Sequence, residues 1–234
     1  MSVADPVPEF SRILSDIRAE LSASSPGGAN AYLWRDQKSA LMRGRILEAA
    51  ITCLVERGYA KTSTQLVAVT AEVSRGAMLH HYGTKAELIE AIIDYIYYKR
   101  LEAFYMELET ISDAARIEDG AALEIYWRLI NMPSYTAYLE LCMAGRTNPE
   151  LACILRRKMV DTNSYFMDII PYLFPEWNGV EGEAQQVALD LVVVGLDGLL
   201  LNRHVIPEKA RRQAVRKVLF KMVQELRSAG VGTS

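Results

Sequence analysis

A chain of 234 residues and 26.2 kDa has room for one or two domains with an ordinary hydrophobic core, since a chain of this size buries about 70% of the surface it exposes when unfolded. Half of the residues are apolar and 24% are charged, which excludes disordered, fibrous and collagen-like classes. The net charge of −3 hides an asymmetry: residues 35–85 hold eight lysines and arginines against four carboxylates, so that window stands at +4 and the remainder at −7, a small basic module on a larger acidic body.

In chain order, MSVADPVPEF carries Asp5 and Glu9 where a signal peptide has a basic start and an apolar stretch, so a cytoplasmic location is expected. Residues 9–23 place Phe10, Ile13, Leu14, Ile17 and Leu21 on one helical face, and the run Ser24, Ser25, Pro26, Gly27, Gly28 ends it. Residues 1–40 therefore read as an N-terminal extension with an extra helix. The next helix carries Ile46, Leu47, Ala50, Ile51, Leu54 and Val55 at three- and four-residue spacing and is expected to stop at Gly58 in a left-handed conformation. Thr62 with Gln65 reads as a capping box, Ser74 as the start of a second helix, and Thr84 with Glu87 as another capping box opening a long helix through Ile111.

Helix starts this crowded predict two short helices, over about 62–71 and 74–82, joined by a tight turn. Val67, Val73, Met78 and Tyr82 are expected to face a floor made by the helices on either side. That is a helix-turn-helix, whose second helix can enter a major groove about 12 Å wide. Ser74, Arg75 and Gly76 stand at its N-terminus, where free backbone N–H groups favour phosphate, and the Arg75 guanidinium is suited to bond guanine O6 and N7 together. His80 and His81 diverge by about 100°, which puts His81 near a phosphate and His80 at the groove edge and argues against metal binding. Lys85 and the hydroxyls of Ser63 and Thr64 are further phosphate candidates.

No catalytic chemistry competes. A Glu-x-x-His pair, a G-x-S-x-G elbow and a Gly-rich phosphate loop are all missing, and Cys53, Cys142 and Cys153 lack CxxC spacing and read as buried thiols. Neither an enzyme, a cofactor nor a metal is expected.

From about Arg43 to Ile93 the chain resembles the N-terminal domain of TetR-family transcriptional regulators. The GY-x-x-TS entry at Gly58–Ser63, V-S-R-G-A at Val73–Ala77, HHY at His80–Tyr82 and T-K-x-E-L at Thr84–Leu88 occur together and in order. The resemblance implies an all-α homodimer, usually a repressor of a palindromic operator, with a helix-turn-helix domain (41–88) and a C-terminal ligand-binding and dimerisation domain (89–234). It places Ser63, Thr64, Ser74, Arg75, Gly76, Ala77, His80, His81 and Lys85 where family members touch DNA. Two positions depart from the family. Leu79 stands where tyrosine is frequent, leaving only an apolar contact such as a thymine methyl. Glu72 stands where the turn usually has glycine, and a left-handed conformation there costs roughly 1 to 2 kcal/mol. Leu79 is also what keeps open a second reading, a helix-turn-helix protein that no longer binds DNA and serves as an interaction module.

Beyond Thr110 the family signal fades. Asn148 and Pro149 open a helix towards Ile170, then Pro171, Pro175, Asn178 and Gly179 mark a break. Helices over about 182–204 and 207–228 follow, which the resemblance assigns to a four-helix dimer interface. In the first, Val187, Leu191, Val194 and Leu201 mark one face while Val192, Leu196, Leu199 and Leu200 cover others, and Gly195 and Gly198 allow close approach. Its apolar run, Leu191–Leu201, is broken by Asp197 and falls short of the ~20 residues of a membrane span. Asp197 is expected to pair within the fold or across the dimer, with ligand contact as the alternative. A pocket for an apolar or aromatic effector is expected among Tyr126, Trp127, Tyr138, Met143, Asn163, Phe166 and Met167.

Overall fold

A computed structural model describes residues 33–109, 121–158, 180 and 182–230. The expected helix over 9–23 and three of the pocket residues, Asn163, Phe166 and Met167, lie outside them. Among the described residues the regular structure is helical throughout, so the all-α expectation holds. The helices are α1 (Leu33–Lys61), α2 (Thr64–Thr70), α3 (Arg75–His81), α4 (Lys85–Glu109), α5 (Ala121–Ile130), α6 (Pro133–Gly145), α7 (149–158), α8 (Gly182–Leu201) and α9 (Lys209–Gly230).

The described residues fall into two compact units, one within 1–103 and 132–165, the other within 104–131 and 166–234. The first has a single core. Ile46, Ala50, Ile51 and Leu54 of α1 meet Val67 and Met78 from the two short helices, Leu88, Ile89, Ile92 and Ile96 of α4, and Ala137 and Leu141 of α6, with Leu151 and Ile154 of α7 closing it. Each valine, leucine, isoleucine or methionine among these contributes about 1.5 to 3 kcal/mol by leaving water, and the alanines less. Val67, Met78 and Tyr82 are buried as expected, and Val73 packs against the core from its edge.

Capping explains where the short elements begin. Ser74 accepts a bond from the Ala77 N–H at 3.1 Å, as its position predicts. The helix before it starts one residue later than expected: Ser63 is the cap, accepting from the Leu66 N–H at 3.1 Å, while Thr62 is buried and donates its hydroxyl to the Gly58 carbonyl at 2.8 Å. Thr84 caps α4 through the Glu87 N–H, but Glu87 returns its bond to the Gly83 N–H at 2.9 Å instead of closing the box on Thr84. Gly58 has φ 75° and ψ 166°, so the helical path breaks there in an extended glycine-only conformation rather than the left-handed one expected, and one further turn follows to Lys61. Glu72 does adopt the positive φ expected of it, 53°. The cysteines divide differently from the expectation of three buried thiols: Cys53 is buried, Cys142 half-buried and Cys153 exposed.

In the second unit, α8 packs on α9 and α5. A Cβ built on Gly195 would come within 3.0 Å of a Leu219 methyl, a close approach to which the Leu219 side chain would have to give way; one on Gly198 would meet nothing within 4 Å. Contrary to the expectation from the Leu191–Leu201 run alone, Glu183–Leu201 is long and apolar enough to cross a membrane by length and composition, with a mean hydropathy of 1.6. The helix also carries Asp190, which accepts from the Gln186 amide at 3.0 Å, and a half-buried Asp197, charges that a bilayer centre disfavours. Its apolar surplus is directional: Val187, Val194 and Leu201, seven residues apart, are its most exposed large apolar positions.

Candidate nucleic-acid interface

The second short helix, α3, is held from one side only. Met78, 1% exposed, and Tyr82, one turn beyond it, anchor it in the core, and burial pushes the Tyr82 phenol up to about 12, so it stays protonated as a packing group. The opposite side shows Arg75, Gly76, Leu79 and His80 to solvent, with Ala77 and His81 half-buried. A Cβ on Gly76 would touch nothing nearer than the Ser74 Oγ at 3.9 Å, so the approach to this backbone is open. Ser74 is exposed but its hydroxyl oxygen is engaged as the cap, and Ser63 is in the same position at the head of α2, with Thr64 half-buried beside it.

The two histidines differ as the predicted divergence requires. Their rings meet edge to face with centroids 5.3 Å apart. Burial, then the charges of His80 and Arg43, hold the His81 imidazole below its ordinary value, so His81 is a neutral N–H donor at pH 7. Arg45, on α1, donates to the Ala71 carbonyl at 2.8 Å and ties the turn between α2 and α3 to the long helix beneath it.

Lys85 has a seat that its position at the head of α4 did not foretell. Its ammonium donates to the Tyr59 carbonyl at 2.8 Å and lies 3.8 Å from the Tyr59 ring centroid; burial lowers its proton affinity. Tyr59 is itself fixed by Glu140 of α6, whose carboxylate accepts the Tyr59 N–H at 2.8 Å, and by Asn148, whose amide reaches the phenol at 3.4 Å. An ammonium has three donors, and one is used on the carbonyl. Tyr59 and Glu140 are functional candidates that sequence reasoning missed, because 81 residues separate the partners and no motif links them.

The predicted ligand residues are not all in one unit. Tyr138 is half-buried in the first, against Tyr135 at 5.6 Å between centroids, and Met143 is an exposed residue of the same helix. Tyr126 and Trp127, both half-buried, and Asp197 belong to the second. There the Arg216 guanidinium stands 4.7 Å from the Trp127 ring centroid and reaches Glu124 at 3.2 Å. Arg216 had no sequence signal beyond its basic position on an amphipathic helix.

Comparison with known proteins gives these observations a family. Residues 46–92, from the middle of α1 into α4, match the bacterial regulatory proteins of the tetR family. An uncharacterized HTH-type transcriptional regulator of Mycobacterium tuberculosis is 30% identical over 165 residues, which span 70% of this chain and 83% of the relative. The HTH-type transcriptional regulator CymR of Pseudomonas putida is 25% identical over 186 residues, 78% of this chain and 89% of the relative. Among solved structures, a transcriptional regulator from Rhodococcus sp. RHA1 superposes with a TM-score of 0.58 at 20% identity, covering 82% of this chain and 99% of the other. Family motif, relatives matched over most of their length and shared all-helical fold agree: the chain belongs to the TetR family of transcriptional regulators, which are DNA-binding proteins and not enzymes.

Proposed function

We propose that this protein is a cytoplasmic, ligand-responsive repressor that binds a palindromic operator as a homodimer and is released by a small apolar or aromatic effector. The observation that carries the DNA-binding part is the two-sidedness of α3, fixed by Met78 and Tyr82 and presenting Arg75, Gly76, Leu79 and His80 outward. In this reading Arg75 reads a base edge, Leu79 and Ala77 give apolar contacts, Ser63, Thr64, Ser74, His80 and His81 hold phosphates and groove edges, and the free donors of Lys85 reach one phosphate. The exposed stripe Val187, Val194, Leu201 on α8 and Val215, Val218, Met222 on α9 supports a second copy of the chain as the partner of those helices.

The effector part has its support in the half-buried Tyr126 and Trp127 of the second unit, with Tyr138 and Met143 of the first as separate candidates, and in the multidrug binding protein EbrR, a fold neighbour with a TM-score of 0.50 and 19% identity whose structure is a complex with imidazole. Asp197, Asn163, Phe166 and Met167 complete the candidate set.

Duplex DNA from the gene's own upstream region, titrated at several salt concentrations, tests the reading. Log affinity is expected to fall linearly with log salt, and Lys85→Ala to flatten that slope by about one unit. Absence of any salt-dependent or sequence-specific binding, with and without candidate effectors, would replace it with the interaction-module reading.

A further inference from the structure

Lys85 carries its ammonium on a flexible four-carbon stem, which loses rotamer freedom at a phosphate contact unless something already holds it. Here the hold is Tyr59, whose carbonyl accepts from the ammonium at 2.8 Å and whose ring centroid lies 3.8 Å from it. That carbonyl also accepts the Thr62 N–H at 3.2 Å, so both of its lone pairs are engaged and its direction is fixed.

Tyr59 is placed in turn by residues far from it in sequence. Gly58, with φ 75° and ψ 166°, takes the Gly58–Tyr59 peptide off the helical path. The Glu140 carboxylate of α6 accepts the Tyr59 N–H at 2.8 Å, and a Cβ on Gly58 would lie 2.9 Å from the same oxygen, so a side chain at 58 would push the carboxylate away. The Asn148 amide reaches the phenol at 3.4 Å while its Oδ1 caps α7 through the Leu151 N–H at 3.0 Å. All of these groups belong to the first unit. The carboxylate meets Tyr59 at its N–H and the ammonium meets it at its carbonyl and ring face, so Glu140 works as a hydrogen-bond acceptor one peptide removed and not as a counter-ion of Lys85.

We propose that Glu140 is a positioning residue for DNA binding: by fixing the Tyr59 backbone it holds the Lys85 ammonium over the Tyr59 ring with donors left for one phosphate, so a contact at the head of α4 depends on a carboxylate of α6. The inference rests on the Lys85 phosphate contact proposed above.

The test begins on the free, full-length protein. The ring current of Tyr59 is expected to shift the Lys85 ε-methylene proton signals, assigned by their loss in Lys85→Ala, upfield of the other lysines. Glu140→Met, which keeps the length of the side chain and removes the acceptor, is expected to return them to the ordinary lysine position, and Glu140→Ala to do the same; Glu140→Gln, which keeps an acceptor oxygen, is expected to leave them upfield. Each variant is read in a chain whose helical circular dichroism is unchanged. Operator affinity at one fixed salt concentration then closes a double-mutant cycle: Glu140→Met is expected to weaken binding about three- to tenfold in the wild-type background and to change nothing in Lys85→Ala. A merely structural role would weaken both backgrounds equally. Signals that stay upfield in Glu140→Met and Glu140→Ala, signals that Glu140→Gln shifts as far as Glu140→Met does, or equal weakening in both backgrounds would each overturn the proposal while leaving the Lys85 contact standing. A salt slope that Lys85→Ala does not flatten would overturn the Lys85 contact and the proposal together.

Discussion

The two units of this chain leave apolar side chains in solvent in different patterns. The first sinks Ile46, Val67, Met78 and Ile92 into one core and leaves Leu41, Val69 and Leu79 exposed on three different helices, with Arg75 and His80 in solvent beside Leu79. The second repeats them along two helices packed on each other: Val187, Val194 and Leu201 are exposed on α8 and Val215, Val218 and Met222 on α9, with Val205 exposed in the turn between. A surface of the first kind recognises a charged, hydrated partner by direction. The other kind is energetically unfinished and waits for a surface like itself.

The sharpest way to break that comparison is to damage each unit where it depends on burial. Ile92→Ala, at a fully buried position, is expected to cost the first unit about 2 to 5 kcal/mol in urea denaturation. Val194→Asp, at an exposed position, is expected to leave the helix content intact and to shift the sedimentation profile from dimer to monomer. If the second variant stays dimeric, the exposed stripe is not the seam.

Next in size is recognition. Arg75→Ala is expected to lose about 1 to 3 kcal/mol of discrimination between the operator and a variant altered at one guanine, read as a compressed ratio of affinities at one fixed salt concentration. Equal loss on both duplexes would move Arg75 from base reading to phosphate holding.

The turn that presents α3 allows a change of opposite sign. Glu72 holds a φ of 53°, where a side chain costs roughly 1 to 2 kcal/mol and glycine costs little in the folded state but more chain entropy in the unfolded one. Glu72→Gly is therefore expected to raise stability by about 0.5 to 1 kcal/mol, seen as a higher denaturation midpoint.

What could be read from residue order follows the range of the interaction. The Ser74 cap and the burial of Val67, Met78 and Tyr82 depend on neighbours within a turn or on a repeating stripe, and both were legible, whereas the positive φ of Glu72 was expected only from the glycine usual there in the family the chain resembles. The shift of the α2 cap from Thr62 to Ser63 is a choice between adjacent hydroxyls decided by the break at Gly58, whose carbonyl takes the Thr62 hydroxyl. Lys85 on Tyr59, Glu140 on the Tyr59 N–H and Arg216 over Trp127 join residues 26 to 89 positions apart, and no local pattern records such meetings. The exposed Cys153 is a related failure: an apolar stretch shows that one face of α7 is buried, and the phase of that helix decides which residue is left out.

The smallest effect concerns protons. His81 is held below its ordinary value by burial and by the charges of His80 and Arg43, so the folded chain binds a proton there less readily than the unfolded chain. By linkage its contribution to stability is complete above about pH 6.5, the unfolded value, and is lost as pH falls through the folded one. A phosphate beside the ring would act in reverse, raising its proton affinity, so DNA binding would take up a proton. Operator affinity is then expected to rise modestly from pH 7.5 to 6 while the His81 contribution to the stability of the free protein holds down to about pH 6.5 and declines below it. In a chain carrying His80→Gln, adding His81→Gln is expected to flatten both curves. Loss of the stability slope with the affinity slope retained would place the phosphate contact elsewhere on α3 and leave His81 as a packing residue of the helix-turn-helix.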